Sequence, residues 1–261
     1  MFITTARAKQ TQCKCCNSSQ ANLWDVCDFH NHCHQPHLGI HAPLTGVGIY
    51  YYRCDVCEFI FTKDFDHFGN KGFSQYIYND DYPKLDIDYA EKRPLITYSL
   101  IDHYFSANKQ NMSILDYGGG SGYLEKVLKD QGYQADTYEP FGKNMATPTM
   151  EQKYQIIVSM EVLEHIDKPI EAIENMLNYL DTENGIILFS TLLQPPDIET
   201  LKTTWWYINP RGGHISFYTK HCFATIFEKY GFHFYTNGGN LHMACKNIPN
   251  FCHTFMEQAV A

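Results

Sequence analysis

The chain has 261 residues, which is enough for one large domain or for a medium-sized domain with a small appendage. Its composition, 44% hydrophobic and 19% charged residues, is ordinary for a folded globular protein and argues against disorder. The net charge of −9, without a run of lysine or arginine, argues against broad electrostatic binding to nucleic acid. The N-terminal segment lacks the apolar core of a signal peptide, and no apolar run approaches the ~20 residues of a membrane span, so we expect a cytoplasmic protein.

The first part of the chain is rich in cysteine, and in a chain without a signal peptide this favours metal binding or free thiols over disulfides. Cys13 and Cys16 form one C-x-x-C pair, and Cys54 and Cys57 form another. Four thiolates complete a tetrahedral zinc site, and a segment of this length has too little core to be stable without such a link. We therefore predict a structural Zn²⁺ there, with a short strand over residues 59–61 packed on it.

The insert between the two pairs offers competing ligands, and Cys15 can replace a neighbouring cysteine. Loop histidines are usually solvated polar surface, so a second metal in the insert is the less favoured interpretation. The candidate ligands in the insert are Cys27, His30, His32, Cys33, His34, His37 and His41.

The chain changes character after the second cysteine pair. Residues 63–88 are rich in aromatic residues, Asp, Asn and Gly, and free linkers are poor in aromatic residues. We therefore divide the chain into a zinc-ribbon-like domain (1–62), a connector packed on the core (63–88) and a main domain (89–261).

Strand-like and helix-like segments alternate through the main domain. Apolar residues recur at helical spacing from Tyr89 to about Ala107, and a short apolar strand ending in a glycine turn follows. Such alternation predicts a parallel sheet with helices on both faces, a Rossmann-like, doubly wound α/β fold. The later predicted elements are a helix over 122–133, strands over 134–139 and 154–158, a helix over 169–185 and a strand over 185–193.

The glycine turn lies in the stretch "ILDYGGGSG", which carries the pattern D-x-G-x-G-x-G from Asp116 to Gly122. No G-K-[ST] follows, so the turn is not a P-loop, and Tyr123 stands where a dinucleotide fold needs its third glycine. Glu139 lies 23 residues after Asp116, near the end of the next strand, where an acid accepts ribose hydroxyls.

These motifs resemble the class I S-adenosylmethionine-dependent methyltransferases. "ILDYGGGSG" resembles their first motif, Glu139 their acidic ribose-binding position, and "YQIIVSMEVLEH" the segment of their fourth strand. The resemblance implies that the turn backbone lies against the methionine portion of the cofactor, with Asp116 near its ammonium group. The cofactor-binding residues that it implies are Asp116, Gly118, Gly119, Gly120, Gly122, Glu139, Ser159 and Met160.

The wider pattern resembles a broad bacterial group of zinc-ribbon methyltransferases over nearly the whole chain. Besides the cysteine pairs, "YIYNDDY" and "WWYINPRGGHISFYTKHCFATIFEKYGF" carry this likeness. In one respect the chain departs from the usual core, because only 14 residues separate Glu139 from Tyr154. The connection there must be shortened, which leaves the residues that contact adenine unassigned.

Candidate catalytic residues follow the strands whose carboxyl ends face the cofactor. A helix beginning after Val158 would place Glu161, Glu164 and His165 on one face. "EVLEH" resembles the E-x-x-E-H motif of ubiquinone-pathway and small-RNA 2′-O-methyltransferases, which implies a divalent cation such as Mg²⁺, completed by His214. Two alternatives stay open: His165 or His214 acts as a base without metal, or the acids occupy a helix N-terminus and His165 packs in the core.

Aromatic residues are candidates for the walls of the pocket. Trp205, Trp206, Tyr207 and Arg211 are expected to cross over the pocket, with Tyr76, Tyr78 and Tyr82 opposite.

We favour O-methylation of a hydroxylated small molecule or a glycan-type acceptor. C- or N-methylation in sugar or natural-product tailoring is the alternative enzyme hypothesis. A module that binds the cofactor without turnover would not need the acids and histidines. The oligomeric state is left open.

Overall fold

Two β-sheets organise the protein in the computed structural model, which describes residues 7–33, 42–140 and 147–259. None of the helices in this described part is long and apolar enough to cross a bilayer. The strands are β1 (Gln10–Thr11), β2 (Ala21–Asp28), β3 (Gly48–Cys54), β4 (Ile60–Thr62), β5 (Ser113–Tyr117), β6 (Gln134–Tyr138), β7 (Ile156–Met160), β8 (Ile186–Ser190), β9 (Ser216–Phe217), β10 (His233–Thr236) and β11 (Leu241–Cys245). The helices are α1 (Gly69–Tyr76), α2 (Tyr82–Leu85), α3 (Lys92–Phe105), α4 (Tyr123–Asp130), α5 (Pro169–Tyr179), α6 (Ile198–Leu201), α7 (Lys220–Glu228) and α8 (His253–Ala259).

The six-stranded sheet has the order β10-β11-β8-β7-β5-β6. Strands β6, β5, β7 and β8 are parallel, whereas β11 and β10 join antiparallel. Every residue of β8 is buried, as expected for a parallel strand covered on both faces. The predicted Rossmann-like sheet is confirmed, with an antiparallel pair added at one edge. The carboxyl ends of β5, β6 and β7 meet at one edge of this sheet.

The five-stranded sheet has the order β1-β2-β3-β4-β9 and is antiparallel throughout. Its last strand comes from the C-terminal half of the chain: Phe217 of β9 pairs with Ile60 of β4. One hydrophobic cluster also joins Phe59 and Phe61 to Tyr218 and Phe223. These contacts cross the domain boundary predicted at residue 62, which stays a prediction.

The connector, residues 63–88, packs on the main domain through the helices α1 and α2. Phe73 and Tyr82 belong to a buried cluster that also contains Tyr207. Arg211, itself buried, donates from Nη1 to the Ile77 carbonyl (3.0 Å) and from Nη2 to Asn79 Oδ1 (2.9 Å). This guanidinium therefore fixes the end of α1 against the segment that precedes β9.

The predicted helix directly after Val158 is wrong. Strand β7 continues to Met160, and Glu161 then adopts a left-handed backbone with φ of +53°. A residue in that region cannot continue into a right-handed helix, and only one 3₁₀ turn follows, Leu163–His165. The connection before β7 is short, as expected: its described residues, 139–140 and 147–155, contain no helix or strand.

Candidate functional site

A cavity of about 550 Å³ opens at the carboxyl ends of β5, β6 and β7. Ligands of open α/β sheets bind at this edge. The glycine turn forms its floor, and the connector and α3 form much of its wall. Six of the eight predicted cofactor-binding residues line it: Asp116, Gly118, Gly119, Gly120, Glu139 and Met160.

The other two predicted cofactor-binding residues lie outside the lining. Gly122 precedes the first residue of α4 with φ of +74° and allows the turn to enter that helix. Ser159 is fully buried within β7. Alternation of side chains along this strand directs Ser159 and Met160 to opposite faces, and only Met160 reaches the cavity.

The turn leaves no room for side chains. A Cβ on Gly119 would lie 2.1 Å from Asp116 Oδ2, and one on Gly120 would lie 2.5 Å from the Tyr89 hydroxyl. Gly118 and Gly120 have φ of +79° and +57°, a region that favours glycine. The Gly120 N–H donates to Glu139 Oε2 (2.9 Å), so the acid that ends β6 is held against the turn backbone.

Asp116 is buried beneath the turn, with 6% of its surface exposed. Burial, reinforced by repulsion from Glu139 and Glu125, raises the pKa of Asp116 to about 7. A cationic group in the cavity would reverse that shift by favouring the carboxylate. The site therefore suits a ligand that carries an ammonium group.

The wall contains residues that the sequence reasoning missed. Tyr89 and Arg93 both line the cavity, and Arg93 makes a forked ion pair with Asp86 at 3.0–3.1 Å. In the stretch from Tyr89, the only sequence signal is the helical spacing of its apolar residues. This spacing does not indicate that its polar residues line a cavity. Of the tyrosines predicted for this wall, Tyr78 and Tyr82 line the cavity, while the 50% exposed Tyr76 does not.

The crossing segment before β9 covers the acids and histidines rather than the cavity itself. Trp205 and Tyr207 are buried, whereas Trp206 is 64% exposed. The Tyr207 hydroxyl donates to Glu164 Oε1 at 2.6 Å and lies 3.2 Å from Glu161 Oε2. One hydroxyl therefore lies between two carboxyl groups.

Three of the four candidate residues after β7 converge. One ligand atom each from Glu164, His165 and His214 lies within 4.8 Å of the other two. Glu161 does not belong to this group, and its Oε1 accepts from the Ser190 hydroxyl at 2.7 Å. The trio adjoins the cavity through His165, which lines it.

Two polar atoms of the trio are buried without a hydrogen-bond partner in the described part of the chain. They are Oε2 of Glu164 and Nδ1 of His165. Burial, with repulsion from Glu161, raises the pKa of Glu164 well above its usual range. Burial also lowers the pKa of His165 well below its usual value and that of His214 to about 4, so both imidazoles are neutral at pH 7.

The protonation state of His214 follows from its contact. Its Nδ1 lies 2.9 Å from the Tyr207 carbonyl oxygen, which can only accept, so Nδ1 carries the proton. Its Nε2 therefore presents a lone pair. A neutral imidazole oriented in this way can ligate a metal or take a proton.

The four predicted zinc ligands also lie together. The Sγ atoms of Cys13, Cys16, Cys54 and Cys57 are all within 4.8 Å of one another. Cys13 lies 3.6 Å from Cys57, and Cys16 lies 3.6 Å from Cys54. These separations suit thiolates around one tetrahedral ion.

The described part of the insert between the cysteine pairs forms no comparable group. His30 contacts the Pro43 carbonyl, and His32 contacts the Thr203 carbonyl. Cys33 donates to Asn209 Oδ1. Cys27 packs, partly buried, against a hydrophobic cluster. The other three candidates, His34, His37 and His41, lie outside the described residues.

Comparison with known proteins places this geometry in context. The family model of a methyltransferase domain matches residues 89–236, more than half of the chain. No curated protein matches. Among solved structures, the chain is similar to magnesium protoporphyrin IX methyltransferase (ChlM) from Synechocystis PCC 6803 with bound SAH. The two sequences are 15% identical, the TM-score is 0.45, and the match covers 70% of this chain and 97% of that one. It is similar to the plantazolicin methyltransferase BpumL in complex with SAH at 17% identity and a TM-score of 0.44, over 67% and 93%. An O-methyltransferase family protein from Burkholderia thailandensis gives 11% identity and a TM-score of 0.48, over 67% and 64%.

Proposed function

We propose that this chain, which belongs to the S-adenosylmethionine-dependent methyltransferases, methylates a hydroxyl oxygen of a small-molecule or glycan-type acceptor. A divalent cation would assist the transfer. The observation that carries the cation is the pair of buried atoms without partners, Glu164 Oε2 and His165 Nδ1. Buried polar atoms are normally satisfied, and a cation between them and His214 would satisfy both.

The protonation states agree with this assignment. A metal needs neutral imidazoles, which burial provides at His165 and His214. Without a cation, burial and repulsion from Glu161 raise the pKa of Glu164 and so favour its protonated form. Cation binding must displace that proton, and cation affinity should therefore increase as the pH rises.

The protein residues divide the remaining work. Asp116 holds the cofactor's ammonium group, and Glu139 is placed for its ribose hydroxyls. Methyl transfer from a sulfonium is an in-line displacement, so the protein aligns the acceptor and removes its proton. A bound divalent cation would lower the pKa of the acceptor hydroxyl and orient it. If no cation binds, the base is His165, which lines the cavity, or His214, whose Nε2 presents a lone pair.

Mg²⁺ or Mn²⁺ is expected to protect the wild-type protein against thermal unfolding. At about 100 times Kd a bound ligand contributes about 2.7 kcal/mol, a rise in Tm of several degrees for a chain of this length. Glu164→Gln should lose most of this protection, because the amide keeps the shape but removes the charged ligand. Glu171→Gln, which changes an exposed acid of the cavity lining outside the trio, is the control and should keep it. Equal protection of wild type and Glu164→Gln would refute the cation site.

Cofactor binding is expected to weaken as the pH falls through about 7. The pKa of Asp116 in the empty cavity lies near that value, and only the carboxylate attracts the ammonium group. Below the pKa, affinity should fall by up to about tenfold per pH unit, the limit for one proton. Titration calorimetry with S-adenosylhomocysteine between pH 5.5 and 8.5 measures this. Asp116→Asn, which cannot ionise, should bind weakly and lose that slope; an identical slope would assign the effect to another group.

For the N-terminal segment we propose a structural zinc ion held by Cys13, Cys16, Cys54 and Cys57. The support is the mutual distance of the four sulfurs together with backbone N–H groups directed at two of them. The Cys15 N–H points at Cys13 Sγ, and the Val56 N–H at Cys54 Sγ, each at 3.4 Å. Donors of this kind stabilise thiolates.

A further inference from the structure

Two more thiols lie beside the proposed zinc site. Cys15 comes from the first cysteine pair and Cys222 from the first turn of α7, and their exposed fractions are 1% and 0%. Their Sγ atoms are 3.0 Å apart. Both also lie within 4.8 Å of the Sγ of Cys57, which already belongs to the proposed zinc site.

The six sulfurs form three close pairs in a row. Cys16–Cys54 is one outer pair, at 3.6 Å, and Cys15–Cys222 is the other, at 3.0 Å. Cys13–Cys57, at 3.6 Å, lies between them. Cys57 lies within 4.8 Å of both sulfurs of the second outer pair, whereas Cys13 is grouped only with Cys16, Cys54 and Cys57.

We propose that this cluster binds two Zn²⁺ ions, which share the sulfur of Cys57. The first ion would also be held by Cys13, Cys16 and Cys54, and the second by Cys15 and Cys222. The arrangement corresponds to two neighbouring ions that are bridged by one sulfur. It rests on the zinc site proposed above, to which it adds a second ion and two ligands.

The distances are compatible with this arrangement. A Zn–S bond of about 2.3 Å gives a tetrahedral edge of about 3.8 Å. Two of the three pairs are already close to that value, and the third needs to open by less than about 1 Å. A disulfide would instead require Cys15 and Cys222 to approach to about 2.05 Å.

The charge balance is also compatible with a second ion. One Zn²⁺ with four thiolates carries a net charge of −2. Adding Zn²⁺ and two further thiolates leaves that charge unchanged. The second ion therefore places no additional net charge in the aromatic core, where Tyr218 and Phe223 stack at 4.3 Å. Because Cys222 lies in the first turn of α7, this ion would also tie the N-terminal segment directly to the methyltransferase core.

The test is the zinc content of the full chain, purified under reducing, oxygen-free conditions. Elemental analysis and native mass spectrometry should give two zinc ions per chain. Cys15→Ser/Cys222→Ser should retain one, and Cys13→Ser/Cys57→Ser should retain none. Cys245→Ala, a change of a buried cysteine outside the cluster, is the control and should retain two.

Each other result contradicts a defined part of the proposal. One zinc in both wild type and Cys15→Ser/Cys222→Ser would overturn the second ion and leave the first. No zinc in folded wild type would overturn both. One zinc together with a loss of two hydrogens in the denatured, unreduced chain would assign a disulfide to Cys15 and Cys222 instead. If the double variant does not fold, the zinc contents of Cys15→Ala and of the wild type decide whether the second ion exists.

Discussion

Replacing Gly120 with valine is expected to abolish binding of S-adenosylhomocysteine. Gly120 has φ of +57°, and its added Cβ would lie 2.5 Å from the hydroxyl of Tyr89, which also lines the cavity. The larger side chain would occupy the space that the methionine portion needs. We expect affinity to fall by at least about 100-fold, or about 2.7 kcal/mol, as measured by titration calorimetry.

A matched glycine separates this effect from backbone strain. Gly132, in the turn between α4 and β6, has φ of +86°, and a Cβ added there would meet no atom of the described residues within 4 Å. Gly132→Val should suffer the same left-handed strain and still bind the cofactor product. Equal losses in both variants would point to misfolding. Normal binding by a folded Gly120→Val protein would overturn the assignment of the turn.

The glycine turn could be predicted from sequence because its chemistry is local. The left-handed glycines, the acid beneath them and the acid that ends the next strand lie within one strand–helix–strand unit. Pattern and spacing therefore fix their relative positions. Glu139 follows the same logic: it comes directly after β6, the strand beside β5 in the sheet, and accepts a hydrogen bond from the turn.

The sequence predicted that acids and histidines lie close together, but it predicted the wrong backbone conformation for them. A helix was expected to align Glu161, Glu164 and His165. The left-handed residue at Glu161 instead breaks the chain direction, and a 3₁₀ turn places Glu164 and His165 against His214. Helical spacing could not show this, because the strain is stabilised by contacts with Ser190 and Tyr207.

Contacts distant in sequence were the hardest to predict. Cys222 lies 207 positions from Cys15, and nothing in its surroundings marks it as different from a buried core cysteine. The pairing of β9 with β4 likewise depends on where the whole chain folds back. Local periodicity carries no information about either contact.

Tyr207→Phe is expected to reduce kcat and divalent-cation affinity by about 10- to 100-fold, the usual effect of removing a group that orients metal ligands. The lost hydroxyl donates to Glu164 Oε1 at 2.6 Å and approaches Glu161 Oε2, so both carboxyl groups lose their common contact. The backbone contact that orients His214 is unaffected by this change. Affinity for S-adenosylhomocysteine should stay the same, because Tyr207 does not line the cavity.

Tyr154→Phe provides the control for a buried hydroxyl that contacts a carboxylate elsewhere. Its hydroxyl donates to Asp136 Oδ2 at 2.9 Å, at the opposite end of β7 from the acids and histidines. This variant should lose some stability, on the order of 1 kcal/mol, and keep both kcat and cation affinity. If Tyr207→Phe lowers thermal stability but leaves cation affinity and kcat at wild-type values, then Tyr207 is structural, and the link between the two carboxyl groups plays no part in methyl transfer.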